Sequence, residues 1–123
     1  MREYIGIPYS EKNCADLAIE IQRDVYRKRV RDYKKPEAKT PFGFAYAIRK
    51  QLPDFTTPIE VEEDGCLVLM RCRNRISHIG TLYYQGRVPY VLHTAEAFGS
   101  SVVHRLRDLK RYGYIVVGFY RWL

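Results

Sequence analysis

No stretch of this chain approaches the ~20 consecutive apolar residues of a membrane-spanning helix, and Met1-Arg2-Glu3-Tyr4-Ile5 lacks the apolar run of a signal peptide. The chain is therefore expected to be soluble as made, with no membrane span. Cysteine is scarce and odd in number: Cys14, Cys66 and Cys72. If Gly65 to Arg73 is a strand, Cys66 and Cys72 share a face but lie roughly 20 Å apart at ~3.3 Å per residue, beyond the reach of a disulfide. All three read as reduced thiols, which suits folding in a cytoplasm. There is no Gly-rich phosphate loop, no zinc-finger spacing and no RNA-binding aromatic signature. Low-complexity linkers and internal repeats are missing too, so residues 1–123 read as one domain with room for a single site.

What is present is a basic excess, 21 Lys+Arg against 14 Asp+Glu. It concentrates in Arg23, Arg27, Lys28, Arg29, Arg31, Lys34, Lys35 and Lys39, a stretch fit either for an anionic partner or for a solvated helix face. Leu17, Ala18, Ile21 and Val25 recur at helical spacing, predicting a helix from about Cys14 to Tyr33 that ends at Lys35-Pro36. A shorter helix is predicted over Phe42 to Leu52, stopping at Pro53, with an irregular stretch through Pro58. From there the period is nearer two. Cys66 to Cys72, Ile79 to Tyr84, Val88 to Thr94, Val102 to Leu106 and Tyr114 to Trp122 read as strands of an antiparallel sheet, with a helical turn around Arg107 to Arg111. The fold class is α+β.

Cys14 sits where the first helix begins, and a helix N-terminus favours thiolate through its unpaired N–H groups and partial positive charge. Downstream lie two histidines in strand-like surroundings, Ser77-His78-Ile79-Gly80 and Val91-Leu92-His93-Thr94. If Gln85-Gly86 forms a two-residue turn, Tyr84 pairs with Arg87 and the register sets His78 directly opposite His93 on one face. An imidazole beside a thiol makes a nucleophile–base pair, and a second polar group orients the imidazole. His104 stands in no such motif and is not a candidate.

Pro8-Tyr9, Asn13-Cys14-Ala15-Asp16-Leu17, Asp64-Gly65-Cys66-Leu67-Val68-Leu69, Ser77-His78-Ile79-Gly80 and Val91-Leu92-His93-Thr94 together resemble the NlpC-type cysteine peptidases of cell-wall turnover, in order and over nearly the whole chain. The closing Val117-Gly118-Phe119-Tyr120-Arg121 is similar to the ending of the branch found in tail-tip proteins of long-tailed bacteriophages. The resemblance implies a small papain-like fold, with the nucleophile-bearing helix packed on the sheet. It implies Cys14 as nucleophile, His78 as general base and acid, and His93 as the orienting group, with no cofactor. Tyr9, Asn13 and Ala15 fall at the family's substrate-binding positions. The family's usual Asp before the cysteine and Ser after it are here Asn13 and Ala15, and the usual Gly-Asp before the strand is inverted as Asp64-Gly65.

The implied function is a phage-tail cysteine endopeptidase. Its substrate would be peptidoglycan stem peptide or a protein of tail assembly, its partners tail-tip or hub proteins, and its location the virion tail after synthesis in the host cytoplasm. Competing readings are a structural tail-tip protein with weak or no catalysis, a Cys/His metal-binding module, and a basic nucleic-acid-binding module. Dispersed Cys and His positions lack the short paired spacings of structural zinc.

Overall fold

The computed structural model describes residues 1–35, 41–73 and 75–123. Two helices, α1 (Cys14–Asp24) and α2 (Pro41–Phe55), accompany six strands: β1 (Thr56–Ile59), β2 (Leu67–Cys72), β3 (Arg75–Gln85), β4 (Val88–Thr94), β5 (Ser101–Arg105) and β6 (Tyr114–Trp122). The strands form one antiparallel sheet in the order β1-β6-β2-β3-β4-β5, so the fold is α+β. Among the described residues no helix is long and apolar enough to cross a membrane.

Strand alternation sends side chains to two faces. One face of the sheet packs on the helices: Cys14, Ala15, Ala18 and Ile19 meet Leu67, Leu69 and Ile79, while Leu17 and Ile21 meet Tyr83 and Leu92. The other face gathers Val68, Met70, Leu82, Val91 and Tyr114 under Leu109, which a 3-10 turn over Leu106–Tyr112 supplies. Each fully buried Leu or Ile contributes on the order of 1.5–3 kcal/mol.

α1 is shorter than its sequence pattern suggests. The Val25 N–H still bonds the Ile21 carbonyl, but Arg27 takes φ 57 and the chain beyond it carries no regular secondary structure through Lys35. Arg23 Nε donates to the Val30 carbonyl at 2.7 Å and Lys28 Nζ to the Trp122 carbonyl at 2.8 Å, holding that segment. The basic stretch is thus no continuous helix face: Arg27, Lys28, Arg29, Arg31, Lys34 and Lys35 lie beyond the helix, and Pro36 and Lys39 lie outside the described residues. α2 continues through Pro53 to Phe55, with the Leu52 carbonyl capped by Thr56 Oγ1 at 2.8 Å. The stretch read as irregular through Pro58 is strand β1. Among the described residues it pairs with β6 alone, at the end of the strand order, and such an edge tolerates proline's missing N–H.

The turn between β3 and β4 falls one residue later than predicted. Gln85 pairs with Val88, leaving Gly86-Arg87 as the loop. Gly86 has φ +64 and Arg87 has no positive φ, the pattern of a type II′ turn with glycine in its first central position. The register therefore slides by two residues. His78 and His93 are not directly opposed, but an even slide keeps both on the same face.

Candidate active site

Asn13 caps α1 in a reciprocal box. Its Oδ1 accepts the Asp16 N–H at 2.9 Å, and its own N–H donates to Asp16 Oδ2 at 3.4 Å. Cys14 is consequently the first residue of the helix, 3% exposed. The β3–β4 ladder begins at Thr81–Leu92, and ahead of it the Ile79 N–H is directed at the Cys14 thiol, joined by the N–H groups of Ala15 and Cys14 itself. The thiol thus reaches the peptide that follows His78.

His78 stands opposite Met70, on the face that carries Tyr114. The register shift in the β2–β3 ladder between Met70 and Arg71 leaves Ser77 as an extra residue in β3, a bulge immediately before His78. In the register of the β3–β4 ladder it is Gly80, not His78, that lies across from His93: a Cβ on Gly80 would fall 3.1 Å from His93 Cβ and 2.7 Å from Val91 Cγ1. Without a side chain there, β4 comes close and the His78 ring reaches His93 diagonally, Nε2 to Nδ1 at 2.7 Å. The rings are nearly perpendicular, at 83°. Tyr114 packs on both, with centroids 4.8 and 4.9 Å away, and lies within electrostatic range of Cys14.

The contact with His93 occupies His78 Nε2 and leaves Nδ1 as the free ring nitrogen. The protonation states are those of a resting neutral pair. Burial pushes the Cys14 thiol up to about 11, against the three backbone N–H groups and with the help of the nearby Asp16 carboxylate. Burial also lowers His78 to about 4. His93 is lower still, through burial and then its two histidine neighbours. The expectation of a thiolate favoured by the helix N-terminus is overturned, because desolvation outweighs the backbone donors.

The other expected site residues are placed differently. Tyr9 is half-buried, and its N–H donates to the Gly99 carbonyl at 3.0 Å, laying the Pro8–Tyr9 loop against the entry to β5. Ala15 is 4% exposed and packs in the helix-side core, so what it offers the thiol is its backbone N–H. Asn13 spends its side chain on the cap and on Tyr33, donating from Nδ2 to the Tyr33 hydroxyl at 3.1 Å.

Two residues were missed by sequence reasoning. Tyr33, assigned to the end of a helix, instead folds back over the start of α1, bonding Asn13 and donating to Asp16 Oδ1 at 3.2 Å. Burial holds its hydroxyl well above the usual tyrosine range. His104 Nδ1 lies 3.0 Å from His93 Nε2, and the only signal for it was its being the third of three histidines. Among the described residues no three His, Cys, Asp or Glu side chains are grouped to hold a metal ion. The imidazoles point at one another rather than at a common centre. No family model, no curated protein and no solved structure matches the chain.

Proposed function

We propose that this chain is an NlpC-type cysteine endopeptidase of a small papain-like fold, carried in a bacteriophage tail and acting on peptidoglycan stem peptides or on a protein of tail assembly. The observation that carries the reading is the 2.7 Å contact between His78 Nε2 and His93 Nδ1 beside a cysteine that opens a helix. That arrangement supports the nucleophile–base–orienter order of thiol peptidases, with Cys14, His78 and His93 in those roles. His78 Nδ1 takes the Cys14 proton as sulfur attacks the peptide carbonyl, and by analogy with related thiol peptidases the Cys14 N–H stabilises the oxyanion. The imidazolium then protonates the departing amine, and water releases the acyl group. In the resting state His93 accepts from His78 Nε2–H and so orients the ring, and it shares the transient charge. Asn13 and Ala15 stand in place of the family's acid and serine, so the site lacks the carboxylate and hydroxyl that the family uses on charged groups of the stem peptide.

A second reading, a structural tail-tip protein with little catalysis, is favoured by one observation: Cys14 is 3% exposed and its thiol is pushed up to about 11. Assay of purified peptidoglycan fragments separates the two. The peptidase reading expects cleavage by the wild type, abolished by Cys14→Ala and by His78→Ala with the fold intact, and reduced roughly 10–1,000-fold by His93→Ala. Asn13→Asp should raise activity on stem peptides bearing a free amine. No cleavage by the wild type, with Cys14→Ala still assembling infectious tails, would establish the structural role.

A further inference from the structure

All three histidines of this chain lie on one face of three adjacent strands, β3, β4 and β5. His104 pairs across from Val91, so it meets His93 diagonally, as His93 meets His78. The contacts are 2.7 Å from His78 Nε2 to His93 Nδ1 and 3.0 Å from His93 Nε2 to His104 Nδ1. We propose that His104 is a positioning residue, the outer member of a histidine relay His78–His93–His104 that fixes the tautomers of the inner imidazoles and takes up the positive charge when Cys14 gives its proton to His78. The proposal rests on the reading of Cys14 and His78 as nucleophile and base.

Each neutral imidazole has one donor and one acceptor, so the chain runs in one of two directions. With Nε2–H on every ring, His78 donates to His93, His93 donates to His104, and His78 Nδ1 is free to accept the thiol proton. In the reverse direction His78 Nδ1 carries the proton and has no lone pair with which to accept one from the thiol. His104 Nδ1 anchors the productive direction by accepting from the otherwise buried His93 Nε2–H. Without it, His93 is free to donate from Nδ1 to His78 Nε2, which places a proton on His78 Nδ1 and disables the base.

The same line moves charge. When the Cys14 S–H bond breaks and the proton joins His78 Nδ1, the His78 Nε2 proton passes to His93 Nδ1 and the His93 Nε2 proton to His104 Nδ1. No atom or electron is gained or lost, and the imidazolium ends on His104. His93 is 1% and His78 9% exposed, whereas His104 is half-buried and pays less to be charged. Burial still lowers His104 below the ordinary histidine value, and Asp108 on the 3-10 turn partly counters this, although Arg107 and Arg111 share that carboxylate at 3.8 and 3.9 Å. Tyr112 stacks on the ring at 4.0 Å and Phe98 lies 5.4 Å away, fixing its plane.

Long-range proton–nitrogen NMR of the histidine side chains reads tautomer and protonation without any activity. In the wild type at pH 7.5 all three rings are expected as Nε2–H, and on acidification the first proton should appear on His104. His104→Leu, which removes the acceptor, should give mixed tautomers at His93 and His78. His104→Asn, whose Oδ1 stands near the place of Nδ1, should restore them. Unchanged tautomers in His104→Leu, or a first proton on His78, would overturn the proposal. Wild-type protein with the relay tautomers but no peptidase activity would defeat the peptidase reading and leave the relay standing.

Discussion

Gly80→Ala tests the idea that a missing side chain brings the two inner imidazoles together. A Cβ there would sit 2.7 Å from Val91 Cγ1, 3.1 Å from His93 Cβ and 3.1 Å from the Leu92 carbonyl oxygen. The Val91 methyl can turn away, but the Leu92 oxygen and His93 Cβ move only if β4 moves by a few tenths of an ångström. Overpacking of this kind costs about 1–3 kcal/mol. Gly80 has no positive φ, so alanine also recovers about 0.4–1 kcal/mol by restricting the unfolded chain. The net expectation is about 1–2 kcal/mol of destabilisation, or ~4 °C per kcal/mol in a domain of this size. The diagonal imidazole contact also lengthens beyond 2.7 Å, so the tautomer preference at His78 should weaken in the same variant. Denaturant unfolding with a shared slope gives the first quantity and histidine nitrogen shifts the second. Gly118→Ala is the control, since its nearest neighbour is the Tyr120 ring at 3.3 Å, a side chain able to yield. If Gly80→Ala were no less stable than Gly118→Ala and kept the wild-type nitrogen shifts, the close approach of β4 would not be what sets the contact.

Iodoacetamide at neutral pH should modify half-buried Cys72 before Cys14 and Cys66, which burial pushes up to about 11; faster labelling of Cys14 at pH 5 would reveal a standing thiolate and refute the burial argument. His78 is lowered to about 4 in the fold, from about 6.5 in the unfolded chain, so the unfolded state takes its proton first as pH drops. Stability should be full above pH 6.5 and fall by about 3 kcal/mol toward pH 4 from this group alone, a slope that His78→Gln flattens; an unchanged slope in that variant would mean the group does not titrate as its burial implies. Asn13→Ala should cost about 1 kcal/mol of stability through the lost cap, while Asn13→Asp should cost little because an aspartate caps equally well; equal losses in a thermal melt would assign the effect to the Tyr33 contact instead.

Much of the α+β scaffold was legible because it follows from rules acting over a few residues. Period-two runs rich in Val, Ile and Tyr became strands at close to the expected places, and Val88–Thr94 and Tyr114–Trp122 match residue for residue. Asn13 and Asp16, three apart, start α1 at Cys14 by a local exchange of hydrogen bonds. The shared face of His78 and His93 was also legible, because alternation along a strand survives any even error in register.

The register itself was not read correctly, although Gly86 at φ +64 suits the first central position of a type II′ turn over Gly86-Arg87 and so favours the observed pairing of Gln85 with Val88. The end of α1 was set by Arg23 and Lys28 reaching carbonyls at Val30 and Trp122, far from any helix-stop residue. His104 joined the site because β5 lies beside β4, a neighbour relation no local pattern encodes. The protonation state of Cys14 was reversed outright. A helix N-terminus is a property of adjacent residues, whereas desolvation depends on which distant surfaces close over the thiol, and here the larger effect belongs to the tertiary structure.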